Sequence, residues 1–249
     1  EADAKKEIVE IWNDVFMQYE KKDGKIIGKL TKPSVDTGAG LERLAMVMQG
    51  VDNIYDTDLL KPVMERIIQD SAGGLLKEKR IIADHIRSAV FLIADGIIPS
   101  NTDRGYILRR LLRRAIRYSQ IVDFRSRLFE LVNFVSQTYI DMYPEIKKNM
   151  NFIREEINSE TDRFNKTIGI GIKEFDKLSD NNISGADVFM LFSSYGLPID
   201  MIIELAQAKD LKVDINGFED EFKKHQKLSR AGAEKKFKGG LADVNDEMV

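Results

Sequence analysis

The sequence predicts an α+β protein that is predominantly α, with a short β-containing part ahead of a long all-helical part. Aromatic and β-branched residues are concentrated in segments 8–19 and 26–30, as is typical of strands. From about residue 55 the apolar residues recur at steps of three and four, which indicates amphipathic helices. The 249 residues are enough for one large domain or two modest ones.

The composition excludes several classes of protein. With 43% apolar and 32% charged residues, the chain resembles a soluble globular protein, and no apolar run is long enough to span a membrane. It has no cysteine, and His85 and His225 are far apart in sequence, so we expect no disulfide, no thiol nucleophile and no metal site. Because the net charge is −3, any nucleic-acid binding must come from local basic patches.

The β-containing part predicts a hairpin followed by a helix. The segment 8–19 and the segment 26–30 are strand candidates, and Asp23-Gly24 between them is a turn signal. Pro33 and the residues after it are expected to form a loop that leads into a helix over 41–49. A hairpin and one helix cannot bury a sheet alone, so the chain is expected to enter partway through a mixed domain.

The rest of the chain predicts helices and short connections. A glycine pair followed by charged residues makes 71–80 the candidate domain junction. The segment 145–178 predicts one long helix or two abutting ones, and 183–214 predicts two helices around a Gly-x-Pro turn. The remaining expected helices are 57–70, 80–97, 104–120, 126–140 and 217–231. The tail over 232–249 is rich in Gly, Lys and Asp, which is typical of a linker.

The stretch "VDTGAGLER" lies directly before the helix expected over 41–49. Gly38 and Gly40 permit positive φ and a close approach of a ligand to the backbone. Free N–H groups at a helix start favour an anion, and Arg43 in the first turn offers a planar fork for phosphate oxygens. Asp36 could hold an ammonium group. The alternative interpretation is a capped helix start with a surface ion pair at Glu42.

The stretch "RGYILRRLLRRAIRY" places six arginines on one predicted helix, with apolar residues on the other side. Five of them form two adjacent rows at steps of four residues. Such a row of guanidinium groups needs an anionic partner, and a phosphate backbone is one candidate. The alternative is that acidic side chains elsewhere, such as those of segment 145–178, pair with it. The six are Arg104, Arg109, Arg110, Arg113, Arg114 and Arg117.

Two further groups of polar residues have a structural and a functional interpretation. Asn101, Thr102 or Asp103 at the start of the arginine helix is expected to be the N-cap, whereas the functional alternative is that a side chain there contacts a base edge in an RNA minor groove. Asp84 and His85 could suggest acid–base chemistry. We expect them instead to be polar positions on a core-packed helix.

Several motifs resemble the alanyl-tRNA synthetases, a family of class II aminoacyl-tRNA synthetases. "VDTGAGLERLAMVMQG" is similar to motif 3 of that family. The other similar stretches are "EIWNDVFMQY", "KPSVDTGAGLER", "YDTDLL", "RIIADHIRSAVFLIADGIIPSNTDRGYILRRLLRRAIR" and "SSYGLPIDM", in the family's order. The resemblance covers essentially the whole chain.

The resemblance implies a division into domains and a reaction. Residues 1–74 would be the C-terminal part of the antiparallel-sheet catalytic domain, a hairpin plus the motif 3 helix. Residues 75–235 would be the helical tRNA-recognition domain, and 236–249 a linker toward an editing domain. The family activates alanine with ATP and Mg²⁺ and transfers it to alanine tRNA, with zinc only in the editing domain. The chain, which starts at Glu1 rather than Met, would be a cytoplasmic piece that is inactive alone.

The resemblance also implies roles for individual residues. Arg43 would bind ATP phosphate, with Gly38 and Gly40 beside the nucleotide. Asp36 would hold the amino group of alanine. The other residues implied to line the alanine pocket are Gly38, Val15, Asn13 and Trp12.

The implied tRNA contacts lie in the helical part. Asn101 matches a family residue near the G·U pair of the acceptor stem, and the arginine helix matches the surface that follows that stem. The family usually has an aspartate where this sequence has Ser193, in "LFSSYG". The departure puts specific readout of the G·U pair in doubt, because a serine would be a weaker, neutral contact.

Three function classes remain open from the sequence. The first is a part of an alanyl-tRNA synthetase. The second is a free-standing helical RNA-binding module without catalysis, and the third is a helical scaffold whose arginines only make intramolecular ion pairs. The oligomeric state is not predicted.

Overall fold

The computed structural model describes residues 8–178 and 182–225, and it confirms a predominantly helical α+β chain. The strands are β1 (Trp12–Lys22), β2 (Lys25–Ala39), β3 (Asn182–Ile183) and β4 (Lys212–Val213). The helices are α1 (Leu41–Gln49), α2 (Lys61–Asp70), α3 (Leu76–Ala94), α4 (Asp103–Ile121), α5 (Leu131–Tyr139), α6 (Pro144–Lys148), α7 (Met150–Lys177), α8 (Gly185–Tyr195), α9 (Ile199–Gln207) and α10, which covers 215–225. The tail expected over 232–249 and the end of the helix expected over 217–231 lie outside the described residues.

The predicted hairpin is confirmed. β1 and β2 pair antiparallel, and Lys22 and Lys25 flank the two-residue turn. Asp23 has φ 48° and Gly24 φ 81°, and positive φ at both positions is the turn geometry that matches the twist of the flanking strands. Nearly every strand residue of the hairpin is exposed, so this two-stranded sheet has no buried face within the described part of the chain.

The loop expected around Pro33 is wrong, because β2 continues through it to Ala39. The strand absorbs the proline at an irregularity: the pairing register shifts between Met17 and Tyr19, which lie opposite Ser34 and Lys29. Proline has no N–H for a ladder, so a strand accepts it at such a bulge. The apolar pattern predicts a second strand only over 26–30, so this extension was not predicted.

Several helix boundaries differ from those predicted. α3 begins at Leu76, so the charged residues at 77–80 lie inside a helix. The segment 145–178 forms two abutting helices, α6 and α7, one of the two expected arrangements. The short parallel pair β3–β4 was not predicted, because strands of two residues are too short to show an alternating pattern.

The chain divides into two compact units. Unit 1 comprises 1–97 and 117–154, and unit 2 comprises 98–116 and 155–249. This division by spatial contact does not test the domain boundary expected at residue 74, which stays a prediction.

Unit 1 has a core formed by α2, α3 and α5, which pack against one another. Its central side chains, Ile67, Ile86, Val90 and Leu131, have no solvent exposure. These residues recur at helical spacing within their elements, which is why the amphipathic pattern located them. Tyr139 of α5 donates a hydrogen bond of 3.2 Å to the Leu59 carbonyl and thereby ties α5 to the segment before α2.

Unit 2 has its own core. Leu108 and Leu112 of α4, Phe164 of α7 and Leu191 of α8 are fully buried. Ser184 caps α8 by accepting a hydrogen bond from the Asp187 N–H, and Gly196 ends that helix in the left-handed conformation at φ 68°. The cap and the glycine therefore fix both ends of α8.

Gly74 is expected to be essential to the connection between α2 and α3, and Gly73 is not. Gly74 has φ 74°, and a Cβ there would lie 2.5 Å from Val122 Cγ1, whereas a Cβ on Gly73 meets nothing within 4 Å. Gly74→Ala should therefore lower the free energy of unfolding by about 2 kcal/mol through strain and overlap. Urea denaturation of both alanine variants checks this. Equal stabilities of the two variants would contradict it.

Candidate functional site

The hairpin brings three of the residues implied for alanine binding together with Asp36. Val15 lies directly opposite Asp36, and Asn13 lies opposite Gly38. Opposite residues in an antiparallel pair, and residues two apart along a strand, point to the same face. Asn13, Val15, Asp36 and Gly38 therefore share one face of the hairpin.

Trp12 lies on the other face. It is paired with Ala39, and its indole Nε1 donates a hydrogen bond of 2.6 Å to Thr37 Oγ1. Thr37 follows Asp36 directly, so in a strand their side chains point to opposite faces. The structure thus separates Trp12 from the Asp36 face, and its implied place beside alanine stays a prediction.

The two glycines of the motif do not use the conformation that the sequence suggested. Neither Gly38 nor Gly40 is among the residues with positive φ, and Gly40 has φ −81°. Gly40 matters for a different reason, since a Cβ there would lie 3.3 Å from Arg43 Cδ. Gly38 has open space where a side chain would be, so a ligand can approach its backbone closely.

Arg43 is held at the start of α1. Its Nη1 donates a hydrogen bond of 2.8 Å to the Glu10 carbonyl, and the Gly40 N–H donates to the Ile11 carbonyl at 3.0 Å. Both bonds tie the helix start to the segment before β1. Arg43 remains exposed, so its guanidinium is accessible to an anionic ligand.

Glu42 makes the ion pair that the alternative interpretation expected. Its Oε1 accepts a hydrogen bond of 2.8 Å from Arg87 Nη1 of α3, and Arg87 also contacts Asp84 at 3.4 Å. Burial disfavours the charged form of Arg87, but Tyr139 and the two carboxylates outweigh it and raise the Arg87 pKa. The hydrogen bond with His85 holds the pKa of Asp84 below its usual range. This network fixes α1 against α3.

Unit 2 contains a cleft of about 600 Å³ that gathers most of the residues expected to contact tRNA. It is lined by parts of α4, α7, α8 and α10 and by the segment before α4. The predicted residues in its lining are Asn101, Arg109, Arg110, Arg113 and Ser193. They come from the two sequence segments of unit 2, so the fold brings together residues such as Arg109 and Ser193, which are more than 80 positions apart in the sequence.

Two arginines of α4 converge on one buried carboxylate, Glu160 of α7, which has no solvent exposure. Arg113 Nε donates a hydrogen bond of 2.7 Å to Glu160 Oε1, and Arg109 Nε lies 3.5 Å from the same oxygen. Arg113 Nη1 also donates to the Gly196 carbonyl. Burial lowers the pKa of Arg109, and the charge of Glu160 partly offsets that effect. For these two arginines the structure shows the intramolecular pairing that the sequence reading kept as the alternative.

The other arginines of α4 differ in their surroundings. Arg114 pairs with Asp200 and, at 2.9 Å, with Glu204 of α9. Arg104 is exposed, and Arg110 lines the cleft. Arg117 belongs to unit 1 and is not among the residues that line the cleft.

The start of α4 has one of the three expected residues at the N-cap position. The Thr102 carbonyl accepts the Tyr106 N–H at 3.0 Å, which places Thr102 at the N-cap position. Asn101 Oδ1 instead accepts a hydrogen bond from Arg109 Nη1. The Asn101 side chain thereby lies at the cleft and is engaged by an arginine, not by the helix end.

The sequence reading missed the aromatic side of the cleft and the role of Glu160. Tyr106 and Phe192 meet edge-on with ring centroids 6.0 Å apart, and Phe192 meets Phe222 at 5.6 Å. Burial raises the pKa of the Tyr106 hydroxyl. For the aromatic side, the available signal was the spacing of Tyr106 and Arg110, which lie one helical turn apart. For Glu160, the signal was an acidic residue within an otherwise apolar row of α7.

Residues 8–178 and 182–225 contain neither a cluster of metal ligands nor a candidate membrane span. No three His, Asp or Glu side chains in these ranges converge on a position where they could hold a metal ion. In the same ranges, no helix has the length and apolar character needed to cross a bilayer.

Comparison with known proteins gives the class of this chain. The family model described as tRNA synthetases class II (A) matches residues 1–248. The chain therefore belongs to the class II tRNA synthetases of this family, as the resemblance of its motifs predicted.

The curated relatives carry a more specific name than the family model. The alanine–tRNA ligase of Borrelia hermsii is 42% identical over 251 residues, covering 96% of this chain and 42% of that protein. The alanine–tRNA ligases of Halalkalibacterium halodurans and Caldicellulosiruptor saccharolyticus are 37% and 40% identical, covering 97% and 95% of this chain. The chain spans 29% and 28% of the lengths of those two relatives.

The pairing of Arg113 with Glu160 is expected to be important for folding. Arg113→Gln removes one partner of a buried ion pair and leaves the Glu160 carboxylate undercompensated, which should cost about 3 kcal/mol of unfolding free energy. Arg104→Gln makes the same charge change at an exposed position and should be nearly neutral. Urea denaturation compares the two. An Arg113 variant as stable as the Arg104 variant would show that the pair is dispensable.

Proposed function

We propose that this chain takes part in alanine–tRNA ligation: the ATP-dependent activation of alanine, followed by its transfer to alanine tRNA. The observation that carries the proposal is the 37–42% identity, over at least 95% of the chain, to relatives named alanine–tRNA ligase. Within it, residues 1–74 serve the catalytic domain and 75–235 serve tRNA recognition, with 236–249 as the connection toward an editing domain.

The Asp36 face of the hairpin is proposed to bind alanine. A carboxylate there matches the ammonium group of the amino acid, and Val15 beside it offers a small apolar surface for a methyl side chain. Gly38 leaves room for close approach along the backbone. Asn13 on the same face adds a hydrogen-bonding amide, and Trp12 is assigned to the pocket by resemblance alone.

Arg43 is proposed to bind ATP phosphate, with Gly40 beside it. Activation joins the alanine carboxylate to the α-phosphorus and releases pyrophosphate, so negative charge must be neutralised on the phosphates. The guanidinium of Arg43 is accessible and held by the Glu10 carbonyl, which suits it to this role. The family's Mg²⁺ has no acidic or histidine cluster to hold it among the described residues, so we assign no step to a metal here.

The cleft of unit 2 is proposed to contact the acceptor stem of alanine tRNA. Asn101 and Ser193 lie in its lining, and we assign them to contacts with base edges or ribose groups, which RNA's shallow minor groove exposes. Arg104 and Arg110 are the arginines that we assign to phosphate contact. Arg109, Arg113, Arg114 and Arg117 were also expected to contact tRNA, but the ion pairs of the first three favour a structural role for them.

The Arg43 assignment is tested by alanine-dependent ATP–pyrophosphate exchange in a full-length ligase that contains this chain. Arg43→Ala should reduce kcat/KM for ATP by about tenfold to a hundredfold, because it removes a charge-assisted hydrogen bond. Arg125→Ala removes another exposed arginine and is the matched control. The isolated chain is expected to give no exchange, since Asp36, Val15 and Arg43 are all exposed in it. Equal exchange by the Arg43 and Arg125 variants would refute the assignment.

The RNA assignment is tested with an RNA hairpin that reproduces the acceptor stem of alanine tRNA. The chain should bind it with an affinity that falls as salt rises, and Arg104→Gln and Arg110→Gln should each make the slope of log affinity against log salt shallower by about one. Arg125→Gln, outside the cleft lining, is the charge-matched control and should leave the slope unchanged. Binding that is insensitive to salt would instead support a purely intramolecular role for the basic helix.

A further inference from the structure

Glu160 is the one acidic side chain of unit 2 with no solvent exposure, among the residues that the structure describes. Its Oε1 takes the 2.7 Å hydrogen bond from Arg113, and its Oε2 makes no hydrogen bond and lies 3.8 Å from Arg163 Nη1. A carboxylate buried in this way costs free energy unless cations surround it. The arginines around Glu160 line the cleft, so the buried charge lies directly behind the candidate RNA-binding surface.

We propose that Glu160 is a positioning residue of the cleft, which acts through Arg109 to fix the orientation of the Asn101 amide. The inference rests on the proposed function, because the Asn101 amide matters only if the cleft binds RNA. Glu160 itself does not reach the ligand in this proposal. It holds Arg109, and Arg109 holds Asn101.

Arg109 is held at both edges of its guanidinium. Its Nε lies 3.5 Å from Glu160 Oε1, an ionic contact and not a hydrogen bond. From that position its Nη2 donates to the Pro99 carbonyl at 3.2 Å, and its Nη1 donates to Asn101 Oδ1. The guanidinium is thus fixed at one edge by a charge and at the other by the segment before α4.

The contact with Arg109 sets the polarity of the Asn101 amide. A guanidinium has only donors, so the asparagine atom that it contacts must be the oxygen. The Asn101 NH₂ group is then on the other side of the amide and available to the cleft, which Asn101 lines. Asn101 therefore presents a donor to a ligand and selects an acceptor: a purine N3, a pyrimidine O2 or a ribose 2′-oxygen.

The same carboxylate also supports the opposite wall. Arg113, bound to Glu160, donates to the Gly196 carbonyl at the end of α8. Ser193 lies in the last turn of that helix and lines the cleft. One buried charge thus holds arginines that contact the segments bearing Asn101 and Ser193.

The test compares Glu160→Gln with Glu155→Gln in the 249-residue chain. Glu155 is an exposed glutamate of the same helix, so both variants change the net charge equally. The first readout needs no RNA: the side-chain NH₂ resonances of Asn101 in asparagine-¹⁵N-labelled protein, identified by their loss in Asn101→Ala. We expect Glu160→Gln to shift them and Glu155→Gln to leave them in place. Unshifted resonances in Glu160→Gln would overturn the positioning role.

The second readout is affinity for the acceptor-stem hairpin. Glu160→Gln and Asn101→Ala should each weaken binding about tenfold, the scale of one good base-edge contact, and the double variant should be no weaker than either. Losses that multiply in the double variant would mean that Glu160 acts independently of Asn101, which would overturn the inference. A wild-type chain that does not bind the hairpin would overturn the proposed function, and the resonances would still decide the positioning of Asn101.

Arg109→Met is the second variant if Glu160→Gln does not fold, because it leaves the Glu160–Arg113 pair intact. Arg109→Met should weaken RNA binding in the wild-type background and have no further effect in the Asn101→Ala background. The salt slope should stay unchanged, because in the proposal Arg109 acts only through Asn101. A slope shallower by about one would show that Arg109 contacts a phosphate directly and would contradict the proposal.

Discussion

A carboxylate that has lost all contact with water must be neutralised by its neighbours, and in unit 2 that requirement falls on the arginines of α4. Glu160 is buried on α7, so α4 has to present Arg109 and Arg113 toward it at steps of one helical turn. Arg114 is the next residue after Arg113 and lies on a different side of α4, toward the acidic residues of α9. The packing of unit 2 and the chemistry of its cleft therefore depend on the same ion pairs.

This dependence changes how a basic helix should be interpreted. Six arginines on one helix predict a polyanion as partner, and the sequence kept an intramolecular alternative open. The members of the set differ: Arg109, Arg113 and Arg114 face internal carboxylates, whereas Arg104 is exposed. Charge patterning located the helix correctly but could not assign its residues, because burial is decided by partners distant in sequence.

Much of the fold followed from local signals. The turn at Asp23-Gly24, the helix over 41–49 and the arginine helix were predicted because glycine chemistry and apolar spacing act within a few residues. The extension of β2 through Pro33 was not, since the irregularity that accommodates proline exists only once the partner strand is present. For the site, motif resemblance supplied Asp36, Arg43 and Asn101. For Glu160 and the aromatic side of the cleft the sequence carries only a spacing signal, and the packed helices are needed to show which residues they contact.

The irregularity in the hairpin has a consequence for variation in chain length. In an uninterrupted hairpin, inserting one residue at the turn would invert the side chains of everything beyond it. Here the pairing next to the turn is separated from the pairing of Val15 with Asp36 by the register shift at Met17–Tyr19. We therefore expect an insertion or deletion near Asp23 to change the pairing next to the turn while Val15 stays opposite Asp36.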